Sequence, residues 1–497
     1  MDTSLTSLSA VAARRLIGSR RLSPVELLDA CIAQIEAFNP AVNAIAATCF
    51  ERARAEARLA EQAVMRGDAL GLLHGLPLGV KDLEETAGVL TTYGSPIYRA
   101  HVPQHDNVMV ARLRAAGAIL TAKTNTPEMG AGANTRNAVW GATGNPFDPM
   151  LNAGGSSGGS AVALATGMLP VCTGSDTGGS LRIPAALCGV VGFRPSPGIV
   201  PGDTRPLGWS PLTVSGPMGR TVADTRLQLA ANAGAHDSEP LGTDLDAHAL
   251  LRVRDVDLAS LRIGYTEDFA VCAVADPMRA TFRQKIAAMS RYVKVCEPVA
   301  FDLGEADRCF DIIRAQNFIA SFQEIYERDP ALLGPHTRVN YEMGQAMSLA
   351  DAVWAHTEQT RLFRRFQKSF GDYDLIVSPT CSISPFPWAQ SYLAEMNGRP
   401  LANYYRWLGL TYVITLTTNP ALSLPCGTDY TGMPFGLQLI GPVRGDRRLL
   451  DIAQALESAW QEDAALQRPC PDLSALAHPV PALKSIVTDP PVFPTGH

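Results

Sequence analysis

Two clusters of glycine and serine constrain this chain more than any other feature of its sequence. Residues 154–160 read GGSSGGS and residues 176–180 read DTGGS, with an apolar, almost uncharged stretch between them. Because glycine lets a backbone adopt positive φ or approach another group closely, the clusters predict two loops folded toward one place. Serine hydroxyls and backbone N–H groups would face that place. Acyl transfer requires such an arrangement, with a hydroxyl nucleophile and donors for an oxyanion.

A candidate base lies upstream, in the segment GLPLGVKD. The apolar residues 75–80 predict a short buried strand, and Lys81 follows them directly. Burial disfavours an ammonium group and lowers its pKa, by as much as ~3–5 units when burial is complete. Such a lysine can be neutral near pH 7 and accept a proton. Together, the lysine and the two clusters predict a hydrolase site.

The lysine after an apolar strand, GGSSGGS and DTGGSLRIP form a pattern that resembles the amidase signature family. Ser156 and Ser180, 24 residues apart, match the spacing in that family, and the similarity runs from about residue 23 to residue 441. The resemblance implies a Ser–cis-Ser–Lys triad that cleaves amides without a metal or cofactor. Lys81 would be the base, Ser156 the proton relay after a cis bond from Gly155, and Ser180 the nucleophile. The oxyanion hole would be formed by the amides of Thr177, Gly178, Gly179 and Ser180.

Strands alternate with helices along the chain, which predicts an α/β fold with a central mixed sheet flanked by helices on both faces. No clear break divides the sequence, so we expect one domain over residues 1–497. Within it we expect a helical N-terminal part over about 1–70, a surface excursion over about 235–257 and an irregular tail over about 467–497. A capping box at Ser23 predicts a helix to about residue 38, and residues 337–370 predict one long helical stretch.

Composition excludes several classes of protein. A formal net charge of −6 argues against nucleic-acid binding. No apolar run reaches the length that would span a membrane, and the charges near the N-terminus follow the apolar part, unlike a secretory signal. The ten cysteines include no CxxC pair, so neither a zinc nor a redox motif is indicated. We expect reduced thiols and a cytoplasmic protein.

Three other sites fit the sequence less well. GAILTAKT lacks the second glycine of a phosphate-binding loop, because Ala122 stands there. GGSSG satisfies the nucleophile elbow GxSxG, but the turn sequence NPFDP stands where that motif needs a strand. His105-Asp106 and His236-Asp237 are adjacent pairs, which favours surface positions over a histidine-based triad. Asp176 and Arg182 are expected to fix the second loop by pairing.

The substrate is less readable from the sequence. Eight aromatic residues in otherwise irregular stretches favour an apolar, aromatic-lined pocket. They are Trp209, Phe318, Tyr341, Phe386, Trp388, Tyr404, Tyr405 and Trp407. This pocket predicts aryl or alkyl acylamides as substrates, and also carbamates or esters. Two other functions stay open: the glutamine-amidase subunit of a tRNA-dependent amidotransferase, and a non-catalytic binding protein on the same fold. The resemblance also implies a homodimer.

Overall fold

A mixed sheet of eleven strands runs through the centre of the structure, and helices flank it on both faces. The structure is a computed structural model that describes residues 3–243 and 245–493. Residues 1–2, 244 and 494–497 lie outside the described residues, although the predicted N-terminal part, surface excursion and tail include them.

Fifteen strands occur in the described ranges. In chain order they are β1 (Ile45–Thr48), β2 (Pro77–Lys81), β3 (Ile119–Thr124), β4 (Arg136–Asn137), β5 (Gly141–Ala142), β6 (Val171–Asp176), β7 (Val191–Arg194), β8 (Val214–Gly219), β9 (Arg262–Tyr265), β10 (Val295–Pro298), β11 (Leu375–Pro379), β12 (Glu395–Met396), β13 (Arg399–Pro400), β14 (Ala421–Thr428) and β15 (Pro434–Ile440). The order across the large sheet is β1-β3-β2-β6-β8-β7-β14-β15-β11-β9-β10. β4 and β5 form a separate hairpin, as do β12 and β13.

The α-helices pack around this sheet. In chain order they are α1 (Thr3–Ser7), α2 (Ala10–Gly18), α3 (Pro24–Val42), α4 (Phe50–Arg66), α5 (Val108–Ala115), α6 (Gly158–Ala165), α7 (Arg182–Cys188), α8 (Val222–Asn232), α9 (Ala247–Leu251), α10 (Asp276–Met289), α11 (Ala306–Arg328), α12 (Pro335–Gln345), α13 (Leu349–Gln367), α14 (Gly409–Leu416) and α15 (Asp446–Trp460). In the described part of the chain, no helix is long and apolar enough to cross a bilayer.

Strands β3, β2 and β6 lie side by side and run parallel, with Val80 opposite Lys123 and Gly79 opposite Cys172. Burial is nearly complete along all three strands, as expected where helices cover both faces of a parallel sheet. Because the strands are parallel, their carboxyl ends meet at one edge of the sheet. That edge carries the candidate site.

Several helix boundaries follow local rules. The predicted capping box is present: the Ser23 hydroxyl accepts from Val25 N, and Glu26 accepts from the Ser23 amide. α4 ends at Gly67, which has φ 81°. The apolar α6 is buried along its whole length, as its composition predicts.

Other boundaries differ from the prediction. α3 continues past residue 38 to Val42, because Pro40 lies in its last turn, where a missing N–H removes only one helical bond. Residues 337–370 form two helices, not one, since Ser348 caps a new helix with its own capping box. The N-terminal part is not wholly helical: β1 pairs antiparallel with the edge of β3.

The predicted surface excursion and tail both hold buried anchors. Most residues of 235–257 are exposed or half-buried, but Leu250 on the short helix α9 is fully buried. In the tail, Leu476 and Leu483 are buried on two short 3₁₀ turns. The tail is therefore irregular, and it is held to the surface by single apolar side chains.

Candidate active site

The site forms where β2 and β6 end. Lys81 is the last residue of β2, Asp176 is the last residue of β6, and the loop of residues 177–181 follows. α6 begins at the same edge with Ser157 at its N-cap, so the first serine cluster lies beside the lysine. In open α/β sheets, ligands bind outside the carboxyl ends of the strands, and this edge has that position.

Close packing explains the glycines of the first cluster. A Cβ atom on Gly159 would lie 2.3 Å from the backbone nitrogen of Asn125, so only glycine lets α6 approach β3 this closely. The peptide bond between Gly155 and Ser156 is cis, as the resemblance implies. The backbone carbonyl of Ser156 accepts from the Thr126 hydroxyl at 2.9 Å, which helps to fix the loop.

The Lys81 side chain is fully buried and ends among hydroxyl groups. Its Nζ lies 2.7 Å from Ser156 Oγ, 2.9 Å from Ser157 Oγ and 3.0 Å from Ser175 Oγ. A neutral amine can accept one hydrogen bond and donate two, whereas an ammonium donates three. Because hydroxyls both donate and accept, these three can satisfy either protonation state of the lysine.

Electrostatics at this position favour the neutral amine more than at the protein surface. Burial lowers the pKa of Lys81 from its usual 10.5 to about 7, against the opposing effect of the Glu84 and Asp176 carboxylates. Close to half of the Lys81 side chains are therefore unprotonated at neutral pH, so the residue can serve as a proton acceptor.

The second loop is held by a buried ion-pair cluster. Arg182 donates to both Asp176 oxygens, at 2.9 Å through Nε and 2.8 Å through Nη2, and Arg194 donates to the Asp176 carbonyl. Burial alone would raise the pKa of the Asp176 carboxyl, but the two guanidinium groups hold it well below its usual range. The predicted pairing of Asp176 with Arg182 is thus present, and it fixes the loop that carries Ser180.

The Asp176 carboxylate also changes the expected set of oxyanion donors. Gly179 N–H donates to Asp176 Oδ1 at 2.9 Å, so it is already committed to the loop and not free for an oxyanion. The amides of Gly178 and Ser180 donate to no atom of the described residues. Gly179 serves another purpose: its φ is +126°, and a Cβ there would lie 2.3 Å from Thr411 Oγ1.

Ser156 and Ser180 open into one cavity of about 410 Å³. Its wall combines aromatic and aliphatic side chains with hydroxyls and two guanidinium groups. The lining residues are Leu83, Tyr93, Tyr98, Met129, Gly130, Ser156, Ser175, Thr177, Ser180, Thr204, Arg205, Pro206, Leu207, Thr213, Arg314, Asn317, Phe318, Ser321 and Phe322. The volume and the mixed lining are typical of a small-molecule site. Lys81 lies behind this wall and reaches it only through serine hydroxyls.

Comparison with known proteins agrees with this geometry. The sequence model of the amidase family matches residues 26–450. The chain belongs to the amidase signature family. Members of this family hydrolyse amides, and the match includes every strand and loop that builds the site.

Individual relatives cover nearly the whole of this family member. A glutamyl-tRNA(Gln) amidotransferase subunit of Roseiflexus castenholzii is 34% identical over 479 residues, spanning 92% of this chain and 96% of its own. An acylamidase of Rhodococcus erythropolis is 30% identical, spanning 92% and 96%. A crystal structure of a bacterial aryl acylamidase superposes with a TM-score of 0.82 at 26% identity, covering 96% of this chain and 98% of its own.

Of the aromatic residues predicted to contact substrate in this amidase, Phe318 lines the cavity and the others lie elsewhere. Trp209 is 76% exposed and borders a separate surface cavity. Tyr341 stacks on Tyr326, Trp388 packs against the tail, and Phe386 packs edge-to-face on Trp407. Tyr404 stacks on His336, and the Tyr405 hydroxyl donates to Asp311. The prediction fails for these residues because their rings are used in packing or point away from the cavity.

The sequence interpretation also missed much of the wall. Tyr93 and Tyr98 come from the loop after β2, Met129 from the loop after β3, and Arg314 and Phe322 from α11. The two tyrosines follow the candidate base closely in sequence, and that proximity is a signal that could have been read. α11 offered no such signal, because its side chains face the site only through tertiary packing.

The alternative sites of the sequence analysis do not form. GAILTAKT is part of the buried strand β3, and not a loop. His105 and His236 are exposed, away from the serines. Among residues 3–243 and 245–493, no group of three histidine, cysteine or acidic side chains could hold a metal ion.

Proposed function

We propose that this chain is an amidohydrolase in which Ser180 attacks linear amides and Lys81 acts as the base through Ser156. One observation carries the proposal: a fully buried lysine amine lies 2.7 Å from Ser156 Oγ, and Ser156 shares a cavity with Ser180. A buried lysine of a structural kind needs acceptors only. Here it contacts hydroxyls that can pass a proton toward a second serine.

The reaction would proceed in two halves. The neutral Lys81 amine takes the Ser156 proton while Ser156 takes the Ser180 proton, and Ser180 Oγ forms a bond to the substrate carbonyl carbon. The resulting oxyanion accepts hydrogen bonds from the backbone amides of Thr177, Gly178 and Ser180. The proton returns through Ser156 to the leaving nitrogen, the C–N bond breaks, and an acyl-enzyme remains. Water then attacks the ester by the reverse relay and releases the acid.

For the substrate class, we propose aryl or alkyl acylamides, with carbamates and esters as further candidates that present the same carbonyl. Two features support this class. Aromatic and aliphatic side chains make up much of the cavity wall, including Tyr93, Tyr98 and Phe318. The chain is also similar to an acylamidase and to a bacterial aryl acylamidase.

A second candidate is the glutamine-amidase subunit of a tRNA-dependent amidotransferase. It is favoured by 34% identity, over nearly the full chain, to the Roseiflexus castenholzii glutamyl-tRNA(Gln) amidotransferase subunit. Under this hypothesis glutamine would be the preferred amide, and a second protein would be needed for full activity. Hydrolysis of anilides by the purified single chain, with no preference for glutamine, would argue against it.

The test is labelling with a fluorophosphonate probe combined with turnover of a panel of anilides, carbamates and glutamine. We expect the probe to label Ser180 in the intact protein. Ser180→Ala should abolish both labelling and turnover, whereas Ser458→Ala, an exposed serine on α15, should leave both unchanged. Labelling at another serine, or normal turnover by folded Ser180→Ala, would overturn the proposed mechanism.

A further inference from the structure

The wall of the cavity contains one guanidinium without an acidic partner. Arg314, on α11, is only 8% exposed and lines the cavity with Ser156 and Ser180. Among the described residues, no carboxylate lies within ion-pair distance of it. Arg205, the other guanidinium in the wall, is bound to Glu239 and to the Thr213 carbonyl. Buried charges are almost always paired, so the isolation of Arg314 needs an explanation.

Neutral groups hold Arg314 in place. Its Nη1 donates to Asn340 Oδ1, and its Nη2 donates to the Tyr404 hydroxyl at 2.7 Å. The guanidinium carbon lies 4.8 Å from the centre of the Phe318 ring and 4.4 Å from that of Tyr405. Two of its five N–H groups are used by these side chains. The arrangement orients the planar group and leaves donors free.

The nearest acid on the same helix is already used. Asp311, one turn earlier on α11, accepts from Arg406 at 2.7 Å and from the Tyr405 hydroxyl at 2.7 Å. Of the described side chains that line the cavity, none is acidic. The wall therefore presents an unneutralised positive charge beside aromatic rings, in a space closed enough to hold a small molecule.

We propose that the substrate supplies the missing partner: it is an amide that carries a carboxylate, which Arg314 binds. The inference rests on the proposed function, and it narrows the substrate class from acylamides in general to carboxylate-bearing ones. The planar guanidinium fork matches a carboxylate in two parallel hydrogen bonds. The rings of Phe318 and Tyr93 would pack against the apolar part of such a substrate.

The first test compares matched substrates on the wild-type enzyme. Succinanilate and butyranilide differ by a carboxylate on the acyl side, and 4-acetamidobenzoate and 4-acetamidobenzamide differ by one on the amine side. We expect kcat/KM to favour the carboxylate by about tenfold or more in at least one pair, as a charge-assisted hydrogen bond gives. Equal rates, or preference for the neutral compound in both pairs, would overturn the inference.

The second test removes the cation. Arg314→Gln should lose the carboxylate preference, with kcat/KM for the neutral partner changed by less than about threefold, whereas Arg314→Lys should keep part of the preference. Arg308→Gln is the matched control, because this arginine lies on the same helix over the Trp354 ring, outside the cavity. An equal loss on both substrates in Arg314→Gln, together with no recovery in Arg314→Lys, would show a purely structural role and overturn the inference.

Binding without turnover separates this inference from the proposed chemistry. In the Ser180→Ala background, calorimetry with succinanilate should show binding that Arg314→Gln weakens by about tenfold or more, while butyranilide binding stays the same. Failure of hydrolysis with this binding pattern intact would count against the proposed reaction and not against the carboxylate site. Equal binding of the two compounds would count against the carboxylate site alone.

Discussion

Two lysines are buried side by side in this protein, and only one of them has the surroundings of a base. Lys81 and Lys123 are both 0% exposed, and they lie on the adjacent parallel strands β2 and β3, with Lys123 opposite Val80. Lys123 Nζ donates to the Glu84 carbonyl and to the Thr86 hydroxyl. Lys81 Nζ contacts three serine hydroxyls.

Burial by itself does not distinguish the two residues. It lowers the pKa of Lys81 to about 7 and that of Lys123 to about 8, so both are perturbed in the same direction. The difference lies in what each amine touches. A carbonyl oxygen only accepts, so it holds the ammonium form of Lys123 in place. Serine hydroxyls accept and donate, and Ser156 connects Lys81 to the cavity. A buried lysine becomes a base through its connection to a reacting group.

The largest expected effect comes from removing each amine in turn. Lys81→Met should lower kcat/KM for an anilide by roughly 10²–10⁴-fold, the usual contribution of a general base. Lys123→Met should keep turnover within about tenfold. Its free energy of unfolding should fall by about 1–3 kcal/mol, because buried acceptors lose their donor. Kinetics and urea unfolding measure the two effects. A folded Lys123→Met protein without activity, beside an active Lys81→Met protein, would reverse the comparison.

The pH dependence of turnover sharpens the same comparison. Since the neutral amine is the base, kcat/KM should rise about tenfold per pH unit below about 7 and level off above it, following the pKa of Lys81. Lys123→Met should give the same midpoint, because Lys123 takes no part in the relay. A profile that falls as the pH rises through 7 would mean that the ammonium is the active form. A midpoint that moves in Lys123→Met would mean that the two lysines act together.

The sequence alone predicts the parts of the site that lie within short motifs. Lys81 follows an apolar strand, and the glycines beside Ser156 and Ser180 mark close packing and positive φ, which are local properties. The same is true of the α3 cap at Ser23. For this reason the sheet edge, the cis bond and the pairing of Asp176 are all expectations that the structure reproduces.

Tertiary contacts were beyond the reach of the sequence. Aromatic composition indicated a ring-lined pocket but could not show which rings face it, because most of them pack among themselves. Arg314 stands in an ordinary helical stretch, and its lack of an acidic partner depends on where Asp311 and Arg406 meet. The engagement of the Gly179 amide likewise depends on how the Asp176 carboxylate turns.

The smallest expected effects concern the other two hydroxyls on Lys81. Ser157→Ala or Ser175→Ala removes one of three hydrogen-bond partners, so kcat/KM should fall by about 5–10-fold, the value of one hydrogen bond, and far less than in Ser156→Ala. Both hydroxyls accept from the ammonium form. Losing one should therefore lower the pKa of Lys81 and move the pH midpoint of activity downward, a shift that a purely structural defect would not produce. If Ser157→Ala costs as much as Ser156→Ala, the proton passes through Ser157, and the distinction between relay and positioning hydroxyls must be redrawn.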